Sequence, residues 1–360
     1  MEEYIRIKVD ILREFTINVF KKLGVPPEDA KIVADILIDA DQRGIGSHGL
    51  QRLIRYTSGL KTGVMKSIAD IKVLKETPNT LLISGGNGLG QVIAYKVMKL
   101  VIEKALKNNV AFAAVCDSNH YGIAGYYSMM ALKHDLIGIS LTNSKAYVVP
   151  THGKNAVLGT NPISIAIPAG KERPFVLDMA TSTVPTGKLE VYRREGKTMP
   201  TTWATDELGN PTQDAARVLA NILDKKGGGL LPLGGAEEEN GGHKGYGLGL
   251  VVDILSGVLS GSAFGPNLYA KKDVPAKVSH FLGAIKIDAF VEPTLFKSLM
   301  DEYINTLKNS EKAAGKDRIF IHGEKEFELY EQQKEEVRLY YKVVDELRKI
   351  GEEVNITAPF

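Results

Sequence analysis

The sequence predicts a mixed α/β protein, an α/β body enclosed by a helical layer that both ends of the chain supply. Three observations predict it. Apolar residues recur at helical spacing near both termini. Between the termini, short apolar runs of strand length alternate with helical patterns. Neither glycine cluster that could hold a dinucleotide meets the Rossmann fingerprint in its required context.

In order, Leu12, Phe15, Val19, Phe20 and Leu23 form one helical stripe, and Gly24 stands where a carboxyl-terminal cap belongs. Pro26-Pro27 opens a second helix with Ala30, Val33, Ala34, Leu37 and Ile38 inward. A third is expected from near Ser47 to Leu60. The texture changes after about residue 70. Leu81-Leu82-Ile83 reads as a short strand, and a helix carrying Ile93, Val97 and Val101 follows. Val110 to Val115, Leu136 to Leu141, Phe175 to Leu177 and Phe281 to Phe290 read as strands, with looser alternation from Val157 to Ile167. Residues 186–242 predict long loops with one helix near Asp214 to Leu223, and Gly245 to Ser260 reads as a glycine-rich apolar helix. Arg318 to Ile321 reads as a strand. The last thirty-odd residues read as one amphipathic helix with Val337, Tyr341, Val344 and Leu347 inward. These textures divide the chain into a helical domain, 1–72 plus 325–360, and an α/β body, 73–324, of one or two lobes.

Composition excludes several classes. Of 360 residues, 44% are hydrophobic and 24% charged, as in ordinary globular proteins. The net charge of +2 lacks the footprint of a nucleic-acid binder. One cysteine, Cys116, permits no intrachain disulfide. Met1-Glu2-Glu3-Tyr4 is wrong for a secretory leader, and Asp253 breaks the best membrane candidate, Gly245 to Gly265. A soluble cytoplasmic protein is expected, with no membrane partner. The seven histidines have no metal-ligand spacing, so no metal site is expected.

Gly44-Ile45-Gly46-Ser47-His48-Gly49 matches the dinucleotide pattern, but the preceding Ile32 to Asp41 is helical, so the match is a decoy. The same segment carries different chemistry. With Ser47 as an N-cap, His48 falls in a first turn and Arg52 lies four residues on, on the same face. Arg can grip a carboxylate with two bonds, and His can exchange a proton on the adjacent oxygen. A solvated His and Arg fit the same spacing. Asn119-His120-Tyr121-Gly122 follows a strand end, where α/β sheets place ligand groups, though a polar turn reads the same way. Gly159-Thr160-Asn161-Pro162 reads as a turn. Asp178-Met179-Ala180-Thr181-Ser182-Thr183 ends a strand in groups suited to a ribose or nicotinamide, or to a helix cap. Gly241-Gly242-His243-Lys244-Gly245-Tyr246-Gly247 suits phosphate oxygens, or close helix packing.

Taken in order, these segments resemble the malate/L-lactate/sulfolactate dehydrogenases that lack a Rossmann fold, a family that includes ureidoglycolate dehydrogenase and diketogulonate reductase. The overall texture is most like its archaeal malate dehydrogenases. The resemblance implies a non-Rossmann, largely β cofactor-binding body, a homodimer with its active site near the subunit interface, and NAD(P)-dependent reduction of a 2-keto acid. It implies His48 as proton donor, Arg52 as carboxylate clamp, and Ser47 and His120 lining the substrate pocket. Cofactor contacts are implied for Thr160, Asn161, Asp178, Met179, Ala180, Thr181, Ser182, Thr183 and Val184. They are also implied for His243 and Lys244, and by position for Gly323, Glu324 and Lys325.

Malate and oxaloacetate are the favoured pair, with Arg55, Lys145 or a partner-subunit residue as the second cation that a dicarboxylate needs. Sulfolactate, lactate or a cyclic imino acid fit the same chemistry. Lys188, Arg193 and Arg194 favour NADP(H) through a 2′-phosphate, with NAD(H) as the alternative. A nucleotide-binding module without turnover would keep the glycine-rich and Asp178 segments and need no His48. A hydrolase built on Ser47 and His48 lacks a readable oxyanion hole and third group.

Overall fold

The computed structural model describes residues 3–271 and 273–360, so the acidic opening Met1-Glu2 lies outside the described residues. The amino-terminal segment gives β1 (Tyr4–Lys8), α1 (Val9–Lys22), α2 (Pro27–Gln42) and α3 (Leu53–Lys61). The body follows with β2 (Lys72–Glu76), β3 (Thr80–Ser84), α4 (Gly90–Asn108), β4 (Val110–Ser118), α5 (Ala124–Met129), β5 (Leu136–Thr142), β6 (Ile163–Ile167) and β7 (Phe175–Met179). Then come α6 (Thr186–Glu195), β8 (Ala204–Thr205), α7 (Ala215–Asp224), β9 (Gly229–Leu230), α8 (Gly242–Asp253), β10 (Val278–Lys286) and α9 (Pro293–Asn309). The chain closes with α10 (Glu324–Gln332), β11 (Glu336–Tyr340) and α11 (Tyr341–Glu353).

The helical layer follows its local signals. Gly24, at a φ of +82°, ends α1 in the left-handed region that favours glycine. Pro27 opens α2, with Glu28 and Asp29 in its first turn. Leu12, Phe15, Leu37, Leu53, Val337, Val344 and Leu347 meet in one buried cluster that joins the two ends of the chain.

The carboxyl-terminal segment corrects the expectation of one long helix. It is α10, β11 and α11, because β11 pairs antiparallel with β1, setting Val337 opposite Ile7 and Leu339 opposite Ile5. Val337 and Leu339 are buried and Glu336 and Arg338 exposed, the period of two that a strand requires. Tyr341 is 39% exposed rather than inward, while Val344 and Leu347 are buried.

The body is an open seven-stranded sheet in the order β2-β3-β4-β10-β5-β6-β7. Only β3 and β4 are parallel, connected through α4. Every other neighbouring pair is antiparallel, unlike the parallel sheet of a Rossmann fold. Ile83, Ile93, Val97, Val101, Tyr127 and Leu282 form the core between α4, α5 and the sheet. A smaller core of Leu189, Ala204, Val218 and Leu230 holds α6 and α7 to the β8–β9 ribbon.

Other expectations shift. Asp214 caps α7 by accepting the Arg217 N–H at 3.0 Å, as its position predicts. The strand expected at 281–290 runs Val278–Lys286, followed by a tight turn at Ile287–Ala289. The helix expected at 245–260 is regular only to Asp253 and continues as a wide π turn, Ile254–Val258. Arg318 to Ile321 is no strand. That extended run lies beside β7, where the His322 carbonyl accepts the Val176 N–H at 3.0 Å. Helix α6 was not expected, because Leu189 is its only buried residue and gives little periodicity to read. Helix α9 was not expected either, and it buries only Ile304.

Candidate active site

The segment carrying His48 is shaped by a buried carboxylate. Asp41, near the end of α2, accepts the Leu50 N–H at 2.7 Å. A Cβ on Gly49 would lie 2.1–2.3 Å from that carboxyl, so the position admits glycine alone. Residues 46–52 consequently form two 3₁₀ turns, Gly46–His48 and Leu50–Arg52, before α3 begins. This corrects the expected N-cap. The Ser47 hydroxyl instead pairs with His48 Nδ1 at 2.9 Å, and Arg52 Nε donates to the Ser47 carbonyl at 2.6 Å. Burial pushes Asp41 up to about 7, opposed by the Leu50 hydrogen bond.

His120, just past the end of β4, brings the second segment to the first. Its ring stacks on His48 with centroids 5.4 Å apart and an interplanar angle of 19°. The two histidines, Ser47, Arg52 and Thr160 line one cavity of about 340 Å³. Arg55, Lys145 and Tyr269 join them, and among the described residues no Asp or Glu lines the space. Among the described residues no carboxylate pairs with Arg52, Arg55 or Lys145; Arg55 instead donates to the Tyr269 hydroxyl and lies over its ring. Burial, then Arg52 and Arg55, bring His48 down to about 4. Burial, then Arg55 and His48, hold His120 well below the usual range. The cavity is therefore cationic, with neutral imidazoles at neutral pH.

Beneath this floor, sequence reasoning missed His280 on β10. Its Nδ1 pairs with Thr142 Oγ1 and its Nε2 with Ser118 Oγ, both at 2.7 Å, and its ring stacks on Tyr121 at 4.4 Å. It ties the ends of β4 and β5 together, and burial lowers it to about 3. Tyr56 was also missed, although its place four residues after Arg52 was a readable helical signal.

A second cavity of about 340 Å³ takes lining residues from the same two segments. Ile45 and Gly125 line it, where Ser47 and Gly122 line the first. Asp178, Met179, Gly323 and Lys325 converge here with apolar Met129, Phe320 and Phe327. Asp178 Oδ2 accepts the Gly125 N–H at 2.7 Å. Asp178 lines the cavity wall and is exposed there. Enclosure raises it to about 6, while the Gly125 N–H opposes the rise.

The remaining expected cofactor residues divide by what they touch. Thr181 donates to the Thr160 and Asn161 carbonyls, both at 3.1 Å, and so fastens two of the expected segments together. Asn161 is fully buried and bonds the Ser144 N–H and the Gly249 carbonyl. Ser182 donates to the Val184 carbonyl and Thr183 to that of Pro232, so these hydroxyls close the loop that carries Ala180. Glu324 binds Lys308 and Arg318, both at 2.9 Å, which turns its carboxylate to an ion cluster. His243 and Lys244 are exposed in the first turn of α8 and line neither cavity. Close packing accounts for Gly245 and Gly249 there, since a Cβ would lie 2.2 Å from the Leu233 carbonyl and 3.0 Å from Thr181 Oγ1.

This chain matches the family model described as malate/L-lactate dehydrogenase over residues 7–348. The chain belongs to that family. A malate dehydrogenase of Pyrococcus abyssi is 50% identical over 99% of this chain and 96% of its own. An L-sulfolactate dehydrogenase of Methanocaldococcus jannaschii is 38% identical over 97% of each chain. The crystal structure of a malate dehydrogenase from Entamoeba histolytica superposes with a TM-score of 0.95 at 37% identity, covering 99% of this chain and 100% of that one. Membership makes the protein an oxidoreductase acting on a 2-hydroxy acid, and the family implies a nicotinamide cofactor. The second cavity fits one part of such a cofactor. Its volume is at the lower end for a ligand pocket, its apolar side chains suit a flat ring, and the Asp178 carboxyl is chemically able to accept from hydroxyls. Among the described residues no helix is long and apolar enough to cross a membrane, and no cluster could hold a metal.

Proposed function

We propose that the protein interconverts malate and oxaloacetate, with NADP(H) preferred over NAD(H). The observation that carries this reading is the cavity in which His48 sits beside Arg52, Arg55 and Lys145 with no acid among the lining residues. Arg52 holds the carboxylate next to the reacting carbon, and Arg55 with Lys145 receives the distal one. Ser47 orients His48 through Nδ1, leaving Nε2 for the substrate oxygen. When bound, the nicotinamide cofactor supplies hydride exchange at the 2-carbon. His48, neutral in the free protein, takes the hydroxyl proton during oxidation. Substrate carboxylates offset the two arginine charges that hold His48 down, so bound oxaloacetate favours the imidazolium needed for reduction.

Asp178, Met179, Gly323 and Lys325 are the proposed cofactor contacts in the second cavity. Ala180, Thr181, Ser182, Thr183, Val184, Asn161 and Thr160, the last of which lines the His48 cavity, stay proposals from family position together with His243, Lys244 and Glu324. Lys188 in the first turn of α6 and Arg193 and Arg194 in its last turn, all exposed, favour a 2′-phosphate. The division into 1–72 plus 325–360 and 73–324 is proposed to separate a helical domain from this body, and a cytoplasmic location is proposed with it. The apolar face of Leu250, Val251, Ile254, Val258 and Leu259, 37–55% exposed and adjoining Thr181, is proposed as a homodimer contact. Val251→Glu should then halve the mass seen by light scattering; an unchanged mass would reject the contact.

The test of function is loss of reduced-nicotinamide absorbance with oxaloacetate, pyruvate, sulfopyruvate and a cyclic imine, using NADPH and NADH in turn. Oxaloacetate with NADPH should give the highest kcat/KM. Preference for sulfopyruvate would keep the cation pocket and change the substrate. Cofactor binding without turnover of any would make the protein a binding module.

A further inference from the structure

Two histidines face one cavity, and their Nδ1 contacts differ. We propose that His120 is a fixed neutral donor that presents Nε2–H to the substrate oxygen, and that Tyr56 is the positioning residue that sets this tautomer. The proposal rests on the dehydrogenase reading above and adds the division of labour between the histidines.

The geometry at His120 Nδ1 carries the argument. The Gly122 backbone N–H points to Nδ1 at 3.4 Å, and a backbone N–H can only donate. Nδ1 is therefore an acceptor, and in a neutral imidazole the proton then sits on Nε2. The Tyr56 hydroxyl meets the same Nδ1 at 2.7 Å and must donate to it. Tyr56 is fully buried in α3, so its ring holds that hydroxyl in place. Gln91 lies fully buried beside this phenol with both amide atoms unpartnered, so an N–H turned to the phenol oxygen would favour the Tyr56 proton lying toward His120.

The surroundings oppose a second proton on His120. Arg52, Arg55, His48 and His280 all lie near enough to disfavour it, and among the described residues no carboxylate lines the cavity. His48 differs at the corresponding atom. Its Nδ1 meets the Ser47 hydroxyl, which either donates or accepts. His48 can therefore gain and lose a proton without breaking that contact. His120 cannot, because protonating Nδ1 would set its N–H against the Gly122 N–H. When substrate carboxylates offset the arginines, the proton goes to His48. His120 stays neutral and donates to the developing oxyanion, a role that calls for a preorganised donor.

The test is nitrogen NMR of the full-length protein with ¹⁵N-histidine, without substrate, the His120 signals assigned by their loss in His120→Gln. His120 should show an unprotonated Nδ1 and a protonated Nε2 from pH 5 to 9. Tyr56→Phe should mix the two tautomers and lower kcat roughly tenfold, with less change in KM. His120→Gln, which keeps an amide N–H of similar reach, should retain more turnover than His120→Ala. A protonated Nδ1 in the wild type, or His120→Gln as inactive as His120→Ala, would overturn the proposal. The NMR result needs no turnover, so it separates failure of this inference from failure of the dehydrogenase reading.

Discussion

The two cavities share walls at residues 43–48 and 120–125, yet their charges are handled in opposite ways. In the Asp178 cavity each cation has company. Arg43 pairs with Asp39 at 2.7 Å and lies over Phe327 and Tyr330, and Lys325 lies over Phe320. In the His48 cavity Arg52 and Arg55 bond only a carbonyl and a phenol, so their charge is not offset. The first arrangement suits a largely flat, hydroxyl-bearing ligand, and the second suits an anion. The contrast teaches that the same residue types build different sites according to what neutralises them.

The largest effect that would break this contrast is loss of the proton carrier. His48→Ala should lower kcat by roughly 10²–10⁴-fold while cofactor titration in the Asp178 cavity stays unchanged. Wild-type turnover in that variant would reject the assignment. Next is the carboxylate clamp. Arg52→Ala removes a charged hydrogen-bond donor worth about 1.5–3 kcal/mol, so KM for oxaloacetate should rise roughly 10- to 150-fold. A change confined to kcat would place Arg52 elsewhere in the mechanism.

Charge also sets the pH profile. Oxidation needs neutral His48, so kcat/KM for malate should be flat near neutrality and fall as pH drops through about 4. Arg55→Met removes one cause of the low value, so this limb should move to higher pH. The same variant should lose more kcat/KM with oxaloacetate than with pyruvate, which has no distal carboxylate. An unmoved limb in steady-state profiles would mean that Arg55 does not act on His48.

The smallest effect belongs to the other cavity. Ionised Asp178 is the stronger acceptor and presents no O–H to a donor hydroxyl, so cofactor affinity should weaken as pH falls through about 6. Asp178→Asn should weaken cofactor binding roughly tenfold and flatten that dependence, as read by fluorescence titration. A pH-dependent affinity surviving in Asp178→Asn would assign the titration to another group.

Much of the fold was legible because its signals are local. The stripes of α1, α2 and α4 and the apolar runs of β4 and β5 appear in the structure at the expected places. Strand β11 was not legible, since its pairing partner β1 lies at the opposite end of the chain and five residues of alternation are easily absorbed into a neighbouring helical pattern. At the site, the residue types at Ser47, His48, Arg52, His120 and Asp178 pointed to carboxylate and nucleotide chemistry. The sequence could not show which of them share a cavity.

By itself, then, the sequence determined the helix and strand inventory where apolar periodicity is strong, the absence of a Rossmann fingerprint and the residues able to do the chemistry. Tertiary structure alone decided the rest. It stacked His48 on His120, withheld carboxylates from Arg52 and Arg55, and turned Glu324 to Lys308 and Arg318. It also filled the space beside Gly49 with the Asp41 carboxyl. Periodicity is a property of neighbours along the chain, whereas a pKa or an unpaired charge depends on groups that only folding brings within a few ångströms.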